Sequence, residues 1–316
     1  MNVTLQVAEV EAGSRLDHLL VRRVDGMSRA RARRMIQDGA VRVNGRRVRK
    51  GARLAAGDSI ELARLPPPKD FVPRPAPELG LAVRHEDPHV VVVDKPGGQP
   101  SHPLRPDERA TLANALVARY PEMVGVGYAL REAGLLHRLD NGTSGVLVAA
   151  RDRPAFEALR HQLRSGGMDK RYLALVSGPY EGPDVIDVPI APHPADPRRV
   201  HVSVRASPRA RLAATYVRVV RSIGERTLLE VRAAVATRHQ VRAHLASVGY
   251  PLLGDWLYGG EPGEGLERHF LHASELRFTH PVSEARVTVR APLPPELAHL
   301  VGSPEPRTAR GAQPGR

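Results

Sequence analysis

Cysteine is absent from the 316 residues, which excludes disulfides, cysteine-ligated zinc and a thiol nucleophile. Lysine is scarce too: only Lys50, Lys69, Lys95 and Lys170 occur, so the positive charge is almost wholly arginine. Aromatic residues make up 4%, too few for casual filler at Tyr172, Tyr250, Trp256 and Tyr258. No apolar run approaches the roughly 20 residues that a membrane-spanning helix needs. Met1-Asn2-Val3-Thr4-Leu5 lacks a charged start and a long apolar core, so no signal peptide is expected. These absences predict a soluble, cytoplasmic protein without a membrane partner.

What the chain does have is positive charge, unevenly placed. The formal net charge is +13, which points toward a polyanion. Residues 1–64 alone hold 14 Lys and Arg against 7 Asp and Glu. In them, Leu16, Leu19 and Leu20 mark one face of a short helix. Ser28 is placed to cap a second helix, with Ala32, Met35 and Ile36 at core spacing. Its other faces carry Arg29, Arg31, Arg33 and Arg34. Gly39 then ends that helix, Val41-Arg42-Val43 reads as a strand, and Asn44-Gly45 as a tight turn. Arg46, Arg47, Arg49 and Lys50 decorate the return, and Ser59–Leu62 reads as a last strand. A charge run is often only a solvated face. The order of elements, with Ser28-Arg29, Ile36, Gly39, Val41 and Val43-Asn44-Gly45, resembles the S-four-type RNA-binding domain over about residues 13–62. That resemblance implies a small α/β module binding phosphates and RNA shape, through residues such as Arg29, Arg33, Arg34, Arg46 and Lys50.

Residues 65–79 are too rich in proline for a helix or an inner strand and read as a semi-stiff linker. At the other end, residues 303–316 carry no apolar period and are expected to be a disordered basic tail. Between them lies one domain, residues 80–302. Strands are expected at Val90–Asp94, Val146–Ala150, Arg171–Val176, Ala214–Val220, Thr227–Val235 and Arg286–Arg290. Helices are expected from Thr111 and over Pro154–Leu163. The fold class is therefore α+β, with a mixed but mainly antiparallel sheet.

The segment with most chemical content is His137-Arg138-Leu139-Asp140-Asn141-Gly142-Thr143-Ser144-Gly145. It sets a carboxylate among turn-forming residues, just ahead of a buried strand. Taken alone, Asp140 either starts a turn or, held ionised by several local hydrogen bonds, acts as a nucleophile. Tyr172 alternates onto the same face as Ala174 and Val176. Arg242 stands apart from its apolar neighbours whether His239–Ala246 is a strand or the start of a helix. Lys95 beside Gly97-Gly98 lacks the phosphate-loop spacing, and Pro96 removes a donor. His239, His244, His269, His272 and Asp255 invite a metal reading. However, His239 and His244 are five apart and no acidic cluster joins them, so no metal is expected.

Taken together, His137–Asp140 with Thr143-Ser144-Gly145, Arg171-Tyr172-Leu173-Ala174 and His239-Gln240-Val241-Arg242 resemble the RluA family of pseudouridine synthases. Asp94–Gly98, Pro251–Asp255, Leu271-His272-Ala273 and Ala291–Pro294 extend the likeness over about residues 80–298. The resemblance implies a cofactor-free isomerase acting on uridine in structured RNA, ribosomal RNA first and transfer RNA second, working as a monomer. It implies Asp140 as catalytic carboxylate, Arg242 as its ion partner and Tyr172 as a stacking and proton-handling group. Arg138 would fill the space left by a flipped-out nucleotide, with Arg238 and His239 as further RNA contacts. One departure stands out: family members carry Gly-Arg where this chain has Ala236-Thr237, so Arg238 would stand in one position along. Two other readings stay open: a non-catalytic RNA-binding assembly factor, and a glycoside hydrolase pairing Asp140 with Asp255.

Overall fold

A computed structural model describes residues 3–65, 70–203, 208–233 and 237–302. Residues 66–69 of the expected linker, Ala236 and the tail 303–316 lie outside the described residues. The chain divides into two compact units, Met1–Val72 with Leu104–Glu108 and Pro73–Pro103 with Arg109–Arg316. No helix among the described residues is long and apolar enough to cross a membrane.

In the first unit, β1 (Val3–Gln6), β2 (Val41–Val43), β3 (Arg46–Arg47) and β4 (Ser59–Leu62) pair antiparallel in the order β1-β4-β2-β3. Helices α1 (Leu16–Arg23) and α2 (Arg29–Gln37) join this sheet in one apolar cluster. Leu16, Leu19, Leu20, Ala32, Met35 and Ile36 are its helical half, as their spacing predicts. Ser28 begins α2 by accepting the Arg31 N–H at 3.2 Å. Asn44 and Gly45 take φ of 51° and 75°, which a two-residue hairpin of this hand demands. β1 offers only Val3 and Leu5 as alternating apolar residues, too short a pattern to predict.

The second unit is built on β5 (Val83–Glu86), β6 (Val90–Lys95), β7 (Ser144–Ala150), β8 (Asp169–Ser177) and β9 (Val185–Asp187). A separate ribbon of β10 (Ile190–Pro192) and β11 (Val200–Val202) follows. Then come β12 (Ala214–Ile223), β13 (Arg226–Arg232), β14 (Leu271–Thr279) and β15 (Arg286–Arg290). The main sheet runs β5-β6-β7-β14-β8-β13-β12-β9, with β15 beside β14. Among the described residues β7 with β14 is its only parallel pairing, so the sheet is mixed and mainly antiparallel. All seven residues of β7 are buried, in keeping with its near-continuous apolar sequence.

The helices are α3 (Leu112–Arg119), α4 (Arg153–Ser165), α5 (Gln240–Ser247) and α6 (Pro295–Val301). Thr111 and Asn114 cap α3 reciprocally, and Asp152 caps α4 by accepting the Ala155 N–H at 2.8 Å. Phe156 and Leu159 of α4 sit in the main core; burying each stabilises by roughly 1.5–3 kcal/mol. Alternation along β8 serves two cores at once. Tyr172, Ala174 and Val176 join the main cluster, and Leu175 joins Phe270, Leu297 and Leu300 on the other side. The segment left open between strand and helix is α5, entered from His239 with no side-chain cap; Gln240, its first residue, accepts the Thr237 N–H at 3.0 Å.

Candidate active site

Asp140 lies in a turn closed by its own carbonyl, which accepts the Thr143 N–H at 2.9 Å. Leu139 and residues 141–144 are each held by side chains from elsewhere in the fold. Ser101 Oγ donates to the Leu139 carbonyl at 3.0 Å. Lys95, buried at the end of β6, donates to the carbonyls of Pro96, Gln99 and Asn141 at 2.8, 2.7 and 3.3 Å. Burial, with the charge of Arg268, pushes the Lys95 amine down to about 7 against the opposing charges of Asp140 and Asp94. Arg268 donates to the Gly142 carbonyl at 2.7 Å, and Thr143 and Ser144 bond to His269 and His272 at 2.8 and 2.9 Å. The loop is also tied down by close packing. A side chain at Gly145, where φ is 114°, would strike the Ala273 backbone, with its N only 2.6 Å away.

Arg242 reaches this turn from α5. Its Nη1 donates to Asp140 Oδ2 at 3.0 Å. Its Nε and Nη2 form a two-pronged bond to Asp255 at 2.7 and 2.8 Å. Asp255 is 1% exposed, with both oxygens on that fork. It orients Arg242 and is not a second reacting carboxylate, which removes the glycoside hydrolase reading. The local hydrogen bonds expected to hold the Asp140 carboxylate are not found among the described residues; Arg242 does that work from across the fold.

Burial alone would raise the Asp140 carboxyl. His239, Arg242 and His269 beside it, with the Arg242 hydrogen bond, outweigh burial and hold it below the usual carboxylate range. Burial pushes both His239 and His269 down to about 4, so they are uncharged near pH 7. Arg242 is thus the standing countercharge at neutral pH. Tyr172, central on β8 and 5% exposed, has its phenol pushed up by burial and then by the Asp140 charge, so it stays protonated.

A cleft lined by Arg138, Asp140, Tyr172, His239 and Arg242 opens above the turn. A wider groove of about 990 Å³ shares Arg138 and Asp140 and adds His137, Arg209, Arg211 and Arg238. The five site residues read from sequence near Asp140 therefore converge. Arg138 is exposed at the cleft, and His239 holds a left-handed φ of 54° there, with Nε2 3.7 Å from Asp140 Oδ2. Arg238 is placed otherwise: its guanidinium bonds the carbonyls of Pro197 and Arg198 at 3.0 and 2.6 Å. Arg29, Arg33, Arg34, Arg46 and Lys50 belong to the first unit, all exposed, with Arg33 3.6 Å from the buried Asp17. Sequence reasoning missed the clamping roles of Lys95, Arg268, His269 and His272. Their one sequence signal was an excess of polar residues inside apolar segments. His244 and His272 use both ring nitrogens on protein partners.

Residues 89–247 match the RNA pseudouridylate synthase family, and residues 14–60 match the S4 domain. The chain belongs to the RNA pseudouridylate synthase family. It is 34% identical to ribosomal large subunit pseudouridine synthase D of Xanthomonas campestris, covering 97% of this chain and 94% of that one. It is 39% identical to an RNA pseudouridine synthase of Chloroflexus aurantiacus, over 92% and 90% of the two chains. Human RNA pseudouridylate synthase domain containing 4 superposes with a TM-score of 0.53 at 27% identity, covering 69% of this chain and 91% of that one. The enzyme is thus an RNA pseudouridine synthase carrying an RNA-binding domain ahead of its catalytic fold. In this synthase Thr237 donates its N–H to Gln240 at the start of α5, and Arg238 braces the loop at Pro197 and Arg198.

Proposed function

We propose that this synthase isomerises uridines of large-subunit ribosomal RNA, with Asp140 as the catalytic carboxylate, Arg242 as its counter-ion and Tyr172 as the wall against which the uracil stacks. The observation that carries the reading is the Asp140 carboxylate, 16% exposed and 3.0 Å from Arg242, in a cleft that Tyr172 also lines. The ribosomal target is supported by relatives named ribosomal large subunit pseudouridine synthase D, 30–34% identical over more than nine-tenths of this chain.

Breaking the N1–C1′ bond leaves positive charge on the ribose, and a fixed carboxylate held ionised is what stabilises it. The freed uracil turns against Tyr172 and closes a C5–C1′ bond. The C5 proton leaves and N1 gains one, so the reaction is redox-neutral and calls for no cofactor. A neutral phenol serves as wall and proton relay, not as a preformed base. Arg138, exposed beside Asp140, fills the stack from which the nucleotide is flipped. Residues 1–64, through Arg29, Arg33, Arg34, Arg46 and Lys50, supply phosphate contacts; residues 80–302 supply the chemistry. His239 in the cleft and Arg238 on the wider groove serve as further RNA contacts. The enzyme works as a cytoplasmic monomer in this reading.

Pseudouridine mapping of total RNA tests it, in a deletion strain restored with wild type or Asp140→Ala. Sites in large-subunit ribosomal RNA present only with wild type are expected. Asp140-dependent sites confined to transfer RNA would change the target. Identical maps from both strains would remove Asp140 from the chemistry.

A further inference from the structure

Tyr258 is outside the cleft lining, yet it touches two of the groups that bear on Asp140, His239 and Arg242. It is 8% exposed and packs in a small apolar cluster with Ile190 of β10, Val200 of β11 and Ala243 of α5. Its hydroxyl accepts the Val200 N–H at 3.0 Å. The same oxygen lies 3.1 Å from His239 Nδ1 and 3.3 Å from the Val200 carbonyl. Its ring lies 5.1 Å from the Arg242 guanidinium and 5.2 Å from that of Arg199.

The hydroxyl has one proton to give. Sent along the shorter contact, it goes to His239 Nδ1, which leaves the imidazole proton on Nε2. That nitrogen is the one facing Asp140 Oδ2. Arg242 meanwhile has its guanidinium carbon over the Tyr258 ring while its nitrogens serve Asp140 and Asp255. Next to the ribbon, Arg199 has a buried Nε without a hydrogen-bond partner, and its charge bears on Asp196. The ribbon itself lines the groove through Ile190, Ala191, Pro192 and Val200.

We propose that Tyr258 is a positioning residue for the isomerisation. It sets the tautomer of His239 and the plane of Arg242 against Asp140, and it links both to the β10–β11 ribbon beside the RNA groove. The proposal rests on Asp140 being the catalytic carboxylate.

The test is single-turnover tritium release from RNA carrying 5-tritiated uridine, made in cells lacking the enzyme and mixed with excess full-length protein. Tyr258→Phe keeps the ring and both stacked guanidinium groups and removes only the hydroxyl. Its maximal rate is expected to fall about tenfold, the size of one lost hydrogen bond in a buried network, with half-saturation by RNA and Tm little changed. His239→Gln is expected to fall alike, and the double variant no further than the worse single, because both break one link. An unchanged Tyr258→Phe rate overturns the proposal. So does a rate that falls in step with Tm and multiplies with that of His239→Gln, as for plain packing. Asp140→Ala run in parallel separates the two claims. If it still releases tritium, the catalytic reading fails; if it is silent while Tyr258→Phe is fully active, only the positioning role fails.

Discussion

Arg242 reaches Asp140 across 102 residues of sequence with one nitrogen, at 3.0 Å, because Asp255 fixes its other two. The ionised state of Asp140 is therefore a property of the tertiary fold, whereas its position is a property of its own loop.

The three-membered cluster predicts a steep penalty when its middle is released. Asp255→Ala leaves a buried guanidinium without its main partner and should cost about 3–5 kcal/mol, read as a fall in denaturant midpoint. The exposed pair of Arg153 with Glu157 makes the contrast: Glu157→Ala should cost under about 1 kcal/mol. Activity of Asp255→Ala should fall too, since Nη1 is no longer aimed.

The pH dependence follows from signs. Asp140 sits below the usual carboxylate value in the folded chain, so its contribution to stability is present above that value and is lost as pH falls through the folded one. His239 and His269 are pushed down to about 4, so the fold loses stability as pH drops from their ordinary 6.5 toward 4. Single-turnover rates should accordingly show no histidine titration between pH 6 and 8. In Arg242→Gln the acid limb should move upward, because an uncompensated buried carboxylate takes up its proton sooner.

Gly145→Ala should separate β7 from β14, where the Ala273 backbone leaves no room for a methyl group. Gly249 also has a positive φ, 89°, but open space around it. Gly249→Ala should cost only about 1–2 kcal/mol of backbone strain. Gly145→Ala should cost clearly more and abolish activity, as thermal melting and tritium release would measure.

Replacing Arg29, Arg33 and Arg34 together by alanine should weaken RNA binding without lowering the saturated rate. The slope of log affinity against log salt should become shallower by about 2 units, since roughly 0.7–0.9 is lost per phosphate contact. Arg33 contributes least in this expectation, because Asp17 already holds it. A lower saturated rate would assign these arginines to the chemistry instead.

Much of this was legible in the sequence where the signal is local. Ser28 and Thr111 marked helix starts, Asn44-Gly45 a hairpin, and the apolar runs at Val90 and Val146 the two strands that deliver the site. Asp140, Tyr172 and Arg242 came forward through the resemblance to the RluA motifs, and the fold brings all three to one cleft. The clamps were not, because each joins distant segments: Thr143 to His269 across 126 residues, Ser144 to His272 across 128. Asp255 was visible only as a carboxylate, and its use depends on the angle at which α5 presents Arg242. β10 and β11 are three residues each and lean on Tyr258 for their place, so no periodicity announces them.

The full burial of β7 divides labour between what can change and what cannot. Asp140 is mounted at the end of the most enclosed strand, like a fixed tool to which work is brought. On the proposed reading, substitutions that retune the choice of RNA belong in the ribbon, the groove arginines and the N-terminal module. These surfaces can diverge between relatives that keep one reaction, because none of them needs the strand to move.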